Sequence, residues 1–239
     1  MREATNALAI SSLTAFWSVV AAGFLPFRGK RGVSFVATWW AKSVNKVCGV
    51  DVEIEPPPVP LDAPAYVVMA NHSSHFDVLA LYATMPRAGE VRPVAKRELG
   101  YIPVFGWVLA AGAAIMIDRG DKEKALRSIE RAGATIRAGA SVLMFPEGTR
   151  TPTGELGPLK KGPFHLALEA QVPVLPVGIV GTRQVLKPGD WRIHPGKVRV
   201  RVGTPIPTAG LTDNPEDRAH LMAQVESALR ALTTPDSEA

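Results

Sequence analysis

Residues 65–82 read AYVVMANHSSHFDVLALY, an apolar run that stops at a polar turn and then resumes with a different spacing. The run Ala65–Ala70 carries no charged residue and has the length of a buried strand. The pattern over Phe76–Tyr82 predicts a helix. A strand that leads through a short polar turn into a helix is the repeating unit of a parallel α/β sheet.

The same alternation continues to the end of the chain. A helix is predicted at Asp121–Ala138, and an amphipathic helix with proline at its start is predicted at Pro215–Leu232. We therefore predict one α/β domain with a mainly parallel sheet flanked by helices, whose ligands gather at the carboxyl ends of the strands. The further strands are predicted at Arg92–Ala95, Ala114–Ile117, Ser141–Phe145, Val174–Val180 and Lys197–Val202.

The N-terminal region has a different character. Ala7–Phe27 contains no charged residue and would form a helix of roughly 30 Å, the thickness of a bilayer core. Val33–Val50 carries Trp39 and Trp40 beside lysines, as helices in the headgroup layer do. Together these segments predict a membrane-associating helical hairpin, with a bilayer-spanning helix as the alternative.

Basic residues follow the first apolar segment closely, at Arg28, Lys30 and Arg31, whereas only Arg2 precedes it. The positive-inside bias then predicts that the rest of the chain faces the cytoplasm. A cleaved signal peptide would have the opposite charge arrangement, and a buried core helix is the other alternative. We divide the chain into an N-terminal membrane-associating segment, 1–55, and an α/β domain, 56–239.

The composition suits contact with lipid and with an anionic partner. The chain is 46% hydrophobic and 21% charged, with a net charge of +5. A basic protein favours a phosphate-bearing substrate, an acidic membrane surface or nucleic acid. The clustered basic and aromatic residues of a nucleic-acid binder are not found. Cys48 is the only cysteine, which excludes an internal disulfide, and we expect it to be a small apolar filler.

The turn after the first predicted strand contains His72 followed five residues later by Asp77. A histidine that deprotonates an alcohol works best when a carboxylate holds its ring in one tautomer, and this spacing across a turn permits that contact. The competing interpretation is that Asn71 and Ser73 cap a helix and that His72 has no special role. His75 lacks a carboxylate at the matching offset.

A second polar turn, Phe145–Arg150, follows another apolar strand. It combines the Glu147 carboxylate, the Thr149 hydroxyl and the Arg150 guanidinium, while Gly148 permits a close backbone approach. Arg150 can bind a phosphate through two parallel hydrogen bonds. Lys96 and Arg119 also follow predicted strands, so several cations are expected at the edge that holds His72. The alternative for each is a solvated surface charge.

These residues together resemble the 1-acylglycerol-3-phosphate acyltransferases, the PlsC type of the glycerolipid acyltransferase superfamily. The resemblance covers roughly residues 35 to 205, and the joint occurrence of H-x4-D and F-P-E-G-T-R is far more specific than either motif. The matching blocks are Asn71–Asp77, Ile117–Arg119, Phe145–Arg150 and Val172–Gly178, and the stretch Lys96–Gly106 also matches the PlsC branch.

The resemblance implies that His72 is a general base and that Asp77 orients it. It also implies that further residues bind the acceptor or its phosphate, namely Lys96, Arg119, Glu147, Gly148, Thr149 and Arg150. The region of Pro176 is implied to bind the acyl group. The implied partners are a membrane phospholipid surface, lysophosphatidic acid, and acyl-CoA or acyl carrier protein. No cofactor, no metal and no nucleic acid is expected.

The expected reaction is therefore acyl transfer to the sn-2 hydroxyl of 1-acylglycerol 3-phosphate at the cytoplasmic face of a membrane. Within the same superfamily, glycerol 3-phosphate or another lysophospholipid is an alternative acceptor. From a different class, the alternative is a non-catalytic membrane-binding protein. A serine hydrolase fits poorly because the chain has no G-x-S-x-G motif.

Overall fold

The computed structural model describes residues 2–84, 90–103, 105–109, 114–117 and 122–234. Its strands are β1 (Val50–Glu55), β2 (Val67–Ala70), β3 (Val91–Lys96), β4 (Ile115–Ile117), β5 (Ser141–Met144), β6 (Val174–Val180) and β7 (Gly196–Val202). Its helices are α1 (Arg2–Cys48), α2 (Phe76–Thr84), α3 (Phe105–Val108), α4 (Lys122–Arg137), α5 (Gly162–Ala170), α6 (Thr182–Val185) and α7 (Pro215–Thr233), with a 3₁₀ turn at Arg97–Tyr101.

Within the described residues the strands form one seven-stranded sheet in the order β1-β7-β6-β2-β5-β3-β4. All neighbours are parallel except β6 and β7, which are antiparallel. The predicted mainly parallel sheet is therefore confirmed. Because β2, β3, β5 and β6 run in the same direction, they end at one edge, which we call the carboxyl edge of the sheet.

The sheet has a buried core on each face, as alternation of side chains along a strand requires. On β2, Val68 and Ala70 belong to the core that α1 and α2 cover. Val67 and Met69 point the other way, into the core that α4, α5 and α7 cover. All four side chains are fully buried, which explains why this strand is a continuous apolar run in the sequence.

The backbone of α1 is helical throughout, yet the segment doubles back on itself. Trp40 Nε1 donates a hydrogen bond of 3.1 Å to Thr14 Oγ1. In a straight helix residues 26 positions apart would be about 39 Å from each other. Ala21 and Val33 share a buried cluster, and Phe27 between them is 88% exposed. The chain therefore reverses near residue 27, and the predicted helical hairpin is confirmed.

The first strand, β1, was not predicted from the sequence. Its residues VDVEIE alternate apolar and acidic side chains, and it pairs with β7 along its whole length at the sheet margin. The helix before it ends at Cys48 because Gly49 adopts φ +71°, a conformation that favours glycine. The sheet thus begins before residue 56, where we expected the domain boundary. Cys48 itself is 1% exposed within the core.

The 3₁₀ turn and α3 pack closely against each other after β3. A Cβ atom on Gly106 would lie 2.3 Å from the carbonyl oxygen of Gly100, so a larger residue would push the two elements apart. Gly106 N also donates a 2.7 Å hydrogen bond to Ile102 O. Gly106 therefore permits this close approach.

Candidate active site

Three polar segments that are far apart in sequence meet at the carboxyl edge of the sheet. His72 follows β2, Phe145–Arg150 follows β5, and Lys96 ends β3. These three strands are neighbours in the sheet. The fold therefore brings the two predicted motifs and one of the predicted cations to the same edge.

His72 and Asp77 are in direct contact. His72 Nδ1 lies 2.8 Å from Asp77 Oδ2, and the Asp77 side chain is completely buried while 18% of the His72 side chain is exposed. An ionised carboxylate only accepts hydrogen bonds, so a neutral His72 ring in this contact carries its proton on Nδ1 and its lone pair on Nε2. The His72 ring also stacks on Phe145, with ring centroids 3.9 Å apart. The ring is thus held in one orientation by the Asp77 carboxylate and the Phe145 ring.

The Asp77 carboxylate is held by three further donors. Its Oδ2 atom accepts hydrogen bonds from the backbone N–H groups of Ser73 at 2.7 Å and Ser74 at 2.8 Å. Its Oδ1 atom accepts a short hydrogen bond from the Thr182 hydroxyl. Donors to a carboxylate stabilise its charged form, so this network offsets the cost of burying the charge. The sequence motif therefore specifies a buried anion beside an imidazole.

A second carboxylate, Glu147, fixes the backbone around His72. Glu147 Oε1 accepts from the N–H of His72 at 2.7 Å, and Oε2 accepts from the N–H of Gly157 at 3.0 Å. Burial raises the pKa of the Glu147 carboxyl above its usual range, and these two hydrogen bonds oppose that shift. The His72 carbonyl in turn accepts from Thr151 N at 2.8 Å. The turn bearing His72 is therefore tied to the turn bearing Arg150.

A cavity of about 490 Å³ opens at His72 and runs toward the N-terminal hairpin. Its far walls are apolar and come from both arms of α1, and its near end is polar. Such a shape suits a long apolar group that carries a polar head. The hairpin side chains that line it include Trp17, Ala21, Val36 and Trp40, and the residues at the polar end include His72, His75, Lys96, Gly148, Thr149 and Arg150.

Two basic residues, Lys96 and Arg150, line the polar end of the cavity. Burial lowers the pKa of His75 below its ordinary value, and the charges of Arg150 and Lys96 lower it further. A cation that disfavours a second positive charge at His75 favours a negative charge at the same place. The Arg150 and Lys96 charges that line this end of the cavity would therefore attract an anionic group.

Comparison with known proteins identifies the family. The family model described as "Acyltransferase" matches residues 53–180. The chain is 31% identical over 228 residues to the 1-acyl-sn-glycerol-3-phosphate acyltransferase of Pseudomonas aeruginosa, an alignment that covers 92% of this chain and 85% of the relative. The chain belongs to the 1-acyl-sn-glycerol-3-phosphate acyltransferase family. The resemblance recognised in the sequence motifs is thereby confirmed.

Other comparisons point to the same family. It is 34% identical over 192 residues to human 1-acyl-sn-glycerol-3-phosphate acyltransferase alpha, covering 78% of this chain but 65% of the human one. It spans 58% of the length of an uncharacterised acyltransferase of Schizosaccharomyces pombe, at 35% identity. The crystal structure of the acyltransferase PlsC from Thermotoga maritima superimposes with a TM-score of 0.76 and 26% identity over 100% of both chains.

Not every site residue predicted from the sequence lies at the cavity. Pro176 is inside β6, paired with Met69 and next to Gly203, and is absent from the described residues that line the cavity. The Glu147 carboxylate is directed at backbone N–H groups. Arg119 lies outside the described residues. The substrate-binding roles of these three residues stay predictions.

Two residues of the site make contacts that the sequence did not predict. Thr182 contacts Asp77 from 105 residues away, and the signal that could have found it is a hydroxyl placed directly after the glycine that ends β6. Asn71 exchanges two hydrogen bonds with Ile179 and joins the ends of β2 and β6. Among the described residues, no group of three or more His, Cys, Asp or Glu side chains could hold a metal ion.

Proposed function

We propose that this protein transfers a fatty acyl group from a thioester to the sn-2 hydroxyl of 1-acylglycerol 3-phosphate, giving phosphatidic acid. One observation carries the proposal: the His72–Asp77 pair lies at the polar, positively charged end of an otherwise apolar cavity. The substrate has the same distribution of properties, with a phosphate near a hydroxyl and a long acyl chain.

In the proposed reaction His72 is the general base. Its Nε2 atom takes the proton from the acceptor hydroxyl while the oxygen bonds to the thioester carbonyl carbon. The carbon–sulfur bond then breaks, and the leaving thiolate takes the proton back from the imidazolium. Asp77 stabilises the positive ring between these two steps, and no acyl-enzyme or cofactor is required.

Arg150 and Lys96 are the proposed phosphate ligands. Both line the cavity, and their charges reach the same space as His75. A guanidinium binds phosphate oxygens through charge-assisted hydrogen bonds, which also fix the orientation of the bound group. Holding the phosphate in this way would bring the neighbouring hydroxyl toward His72.

The N-terminal hairpin is the proposed membrane anchor. Thr5–Phe24 has the length and mean hydropathy, 1.7, of a membrane-crossing helix. Because α1 turns back near residue 27 and its arms line the cavity, we favour a hairpin inserted into one leaflet over a single span. The excess of basic residues after Phe27 in the sequence favours a cytoplasmic location for the rest of the chain.

The substrate assignment is tested with the purified full-length chain, labelled acyl-CoA and a panel of acceptors. The panel contains 1-acylglycerol 3-phosphate, other lysophospholipids and glycerol 3-phosphate, and acyl carrier protein replaces CoA in a parallel series. Label is expected in phosphatidic acid. Transfer to glycerol 3-phosphate or to a phosphate-free acceptor alone would reject the proposed acceptor, and no transfer to any acceptor would favour a binding protein without catalysis.

Replacing Arg150 with alanine is expected to raise the KM for the acceptor by about 10- to 100-fold, since a charge-assisted contact is lost. The KM for acyl-CoA should change far less, and steady-state kinetics with each substrate varied in turn measure both. Arg230→Ala is the matched control, because Arg230 lies on α7 and pairs there with Glu226 at 2.8 Å. Equal losses for donor and acceptor would contradict the phosphate role.

Replacing Ala21 with tryptophan is expected to shorten the acyl chains that the enzyme uses. Ala21 is 4% exposed and lines the cavity, so a large side chain there would fill the apolar end. Overfilling a packed site typically costs about 1–3 kcal/mol, which predicts a roughly 10- to 100-fold loss for long chains and little loss for short ones. Ala22→Trp is the control, because Ala22 is exposed. A uniform loss across chain lengths would argue against this cavity as the acyl site.

A further inference from the structure

The 3₁₀ turn and α3 together expose an unusual set of large apolar side chains. Tyr101 is 74% exposed, Trp107 is 66% exposed and Ile102 is 43% exposed. We call residues 97–103 and 105–108 the aromatic wall. Single exposed apolar residues are common on protein surfaces, but three within seven positions, two of them aromatic, form a patch.

The opposite side of the aromatic wall is also apolar. Leu99, Phe105 and Val108 line the cavity that contains His72. The wall therefore separates the apolar cavity from the exterior and presents apolar groups in both directions. Water on its outer side would leave large aromatic surfaces hydrated, which costs free energy in proportion to the apolar area exposed.

The aromatic wall is continuous with the N-terminal hairpin. The rings of Phe105 and Trp40 lie with centroids 6.0 Å apart, and Val108 packs into the buried cluster that contains Ala21 and Val33. The hairpin has exposed apolar side chains of its own, so the apolar surface extends from one element to the other. The exposed hairpin side chains include Leu8, Phe16, Val19, Phe27, Phe35 and Trp39.

We propose that the aromatic wall is a second membrane-binding element, which inserts Tyr101, Ile102 and Trp107 into the interfacial layer of a lipid bilayer beside the hairpin. Tyrosine and tryptophan favour this layer because they have an apolar body and a polar atom. Arg97 begins the wall and Lys96 directly precedes it; both are exposed, which suits anionic headgroups. The inference rests on the proposed function, since a lipid substrate gives the cavity reason to open beside a bilayer.

A lipid surface fits this wall better than a protein partner does. The wall is joined to a hairpin with the hydropathy of a membrane segment, and basic residues lie at its start. In this arrangement the aromatic wall and the hairpin both lie between the bilayer and the cavity. An acyl chain could then pass between them without crossing water.

The test uses the full-length protein and vesicles of phosphatidylcholine with phosphatidylglycerol. The double variant Tyr101→Ser with Trp107→Ser is expected to partition onto these vesicles about tenfold more weakly than the unchanged protein, as measured by co-sedimentation. Val59→Ser is the control. Val59 is 40% exposed and follows β1, whose end lies at the opposite edge of the sheet, so its replacement should leave partitioning unchanged.

Transfer to a short-chain, water-soluble acceptor is measured with the same variants and separates this inference from the proposed function. The double variant should keep its turnover with dissolved substrates while binding vesicles more weakly. Unchanged vesicle binding would overturn the membrane role of the wall. Weaker vesicle binding in a protein that transfers nothing would support the wall and reject the proposed reaction.

A labelled variant keeps the test informative if the double variant does not fold. Ile102→Cys keeps both aromatic residues, and an environment-sensitive fluorophore would attach there because Cys48 is buried. Its emission is expected to shift to shorter wavelength when vesicles are added, whereas a label at Val59→Cys should not respond. The absence of a shift at residue 102, or self-association of the protein through this surface without vesicle binding, would overturn the inference.

Discussion

Replacing His72 with alanine is expected to lower kcat for acyl transfer by about 10²- to 10⁴-fold, the usual contribution of a general base. The side chain is 18% exposed and its Nδ1 atom contacts only one carboxylate, so its removal should leave the fold intact. Vesicle binding and the unfolding temperature should therefore stay close to those of the unchanged protein. Single-turnover kinetics with saturating acyl-CoA and acceptor measure the loss.

The chain offers a matched control for this variant. His165 Nδ1 also contacts a carboxylate, that of Asp213, at 2.5 Å, but it lies on α5 on the face of the sheet away from the hairpin. His165→Ala removes a comparable His–Asp pair and should keep most of the activity. Turnover by His72→Ala within about tenfold of the unchanged enzyme would remove His72 from the role of general base.

A conservative change at His75 tests which of the two histidines in the motif the reaction needs. His75 lines the same cavity as His72 but is exposed and has no carboxylate partner among its described hydrogen bonds. The lowered pKa of His75 keeps its ring neutral near pH 7, so replacing His75 removes no positive charge from the site. His75→Gln should consequently be much less damaging than His72→Ala.

Much of the fold could be predicted because the central strands are fully buried. β2 and β6 have apolar side chains on both faces, and such runs stand out in a sequence. β1 did not stand out, because only one of its faces is apolar and a single residue, Gly49, separates it from the preceding helix. The pairing of β1 with β7 joins residues about 146 positions apart, and no local pattern encodes it.

The site was predictable to the extent that its parts are close in sequence. The separation of His72 and Asp77 allowed a contact across one turn, and the structure contains that contact. The Glu147 side chain could not be oriented in advance, because its partners are backbone groups of residues 72 and 157. The cavity was equally hidden, since its apolar end comes from a hairpin that precedes His72 by more than thirty residues.

The two buried carboxylates beside His72 have separate tasks. Asp77 contacts the imidazole ring, whereas Glu147 contacts the backbone N–H of the same residue. A change in the position of the His72 ring would therefore break its contact with Asp77 or the contact of its backbone N–H with Glu147. This division explains why both sequence motifs must be present for one histidine to be held in place.

Replacing Asp77 with asparagine is expected to lower kcat by about 10²- to 10⁴-fold while the protein remains folded. The amide oxygen of asparagine can occupy the position of Oδ2 and accept from the N–H groups of Ser73 and Ser74. Its amide nitrogen then faces Thr182 Oγ1, a hydroxyl that can rotate and accept. The geometry is kept, but the charge that stabilises the imidazolium is lost.

Thr182→Val distinguishes the charge of Asp77 from its position. Valine removes the donor to Oδ1 and leaves the carboxylate charged, so it should cost about 1–3 kcal/mol of unfolding free energy but less than tenfold in kcat. If the two variants lost activity equally, orientation of Asp77 would be its main contribution. A large loss in Asp77→Asn alone would assign the effect to the negative charge, because in both variants the His72 ring keeps an acceptor at Nδ1.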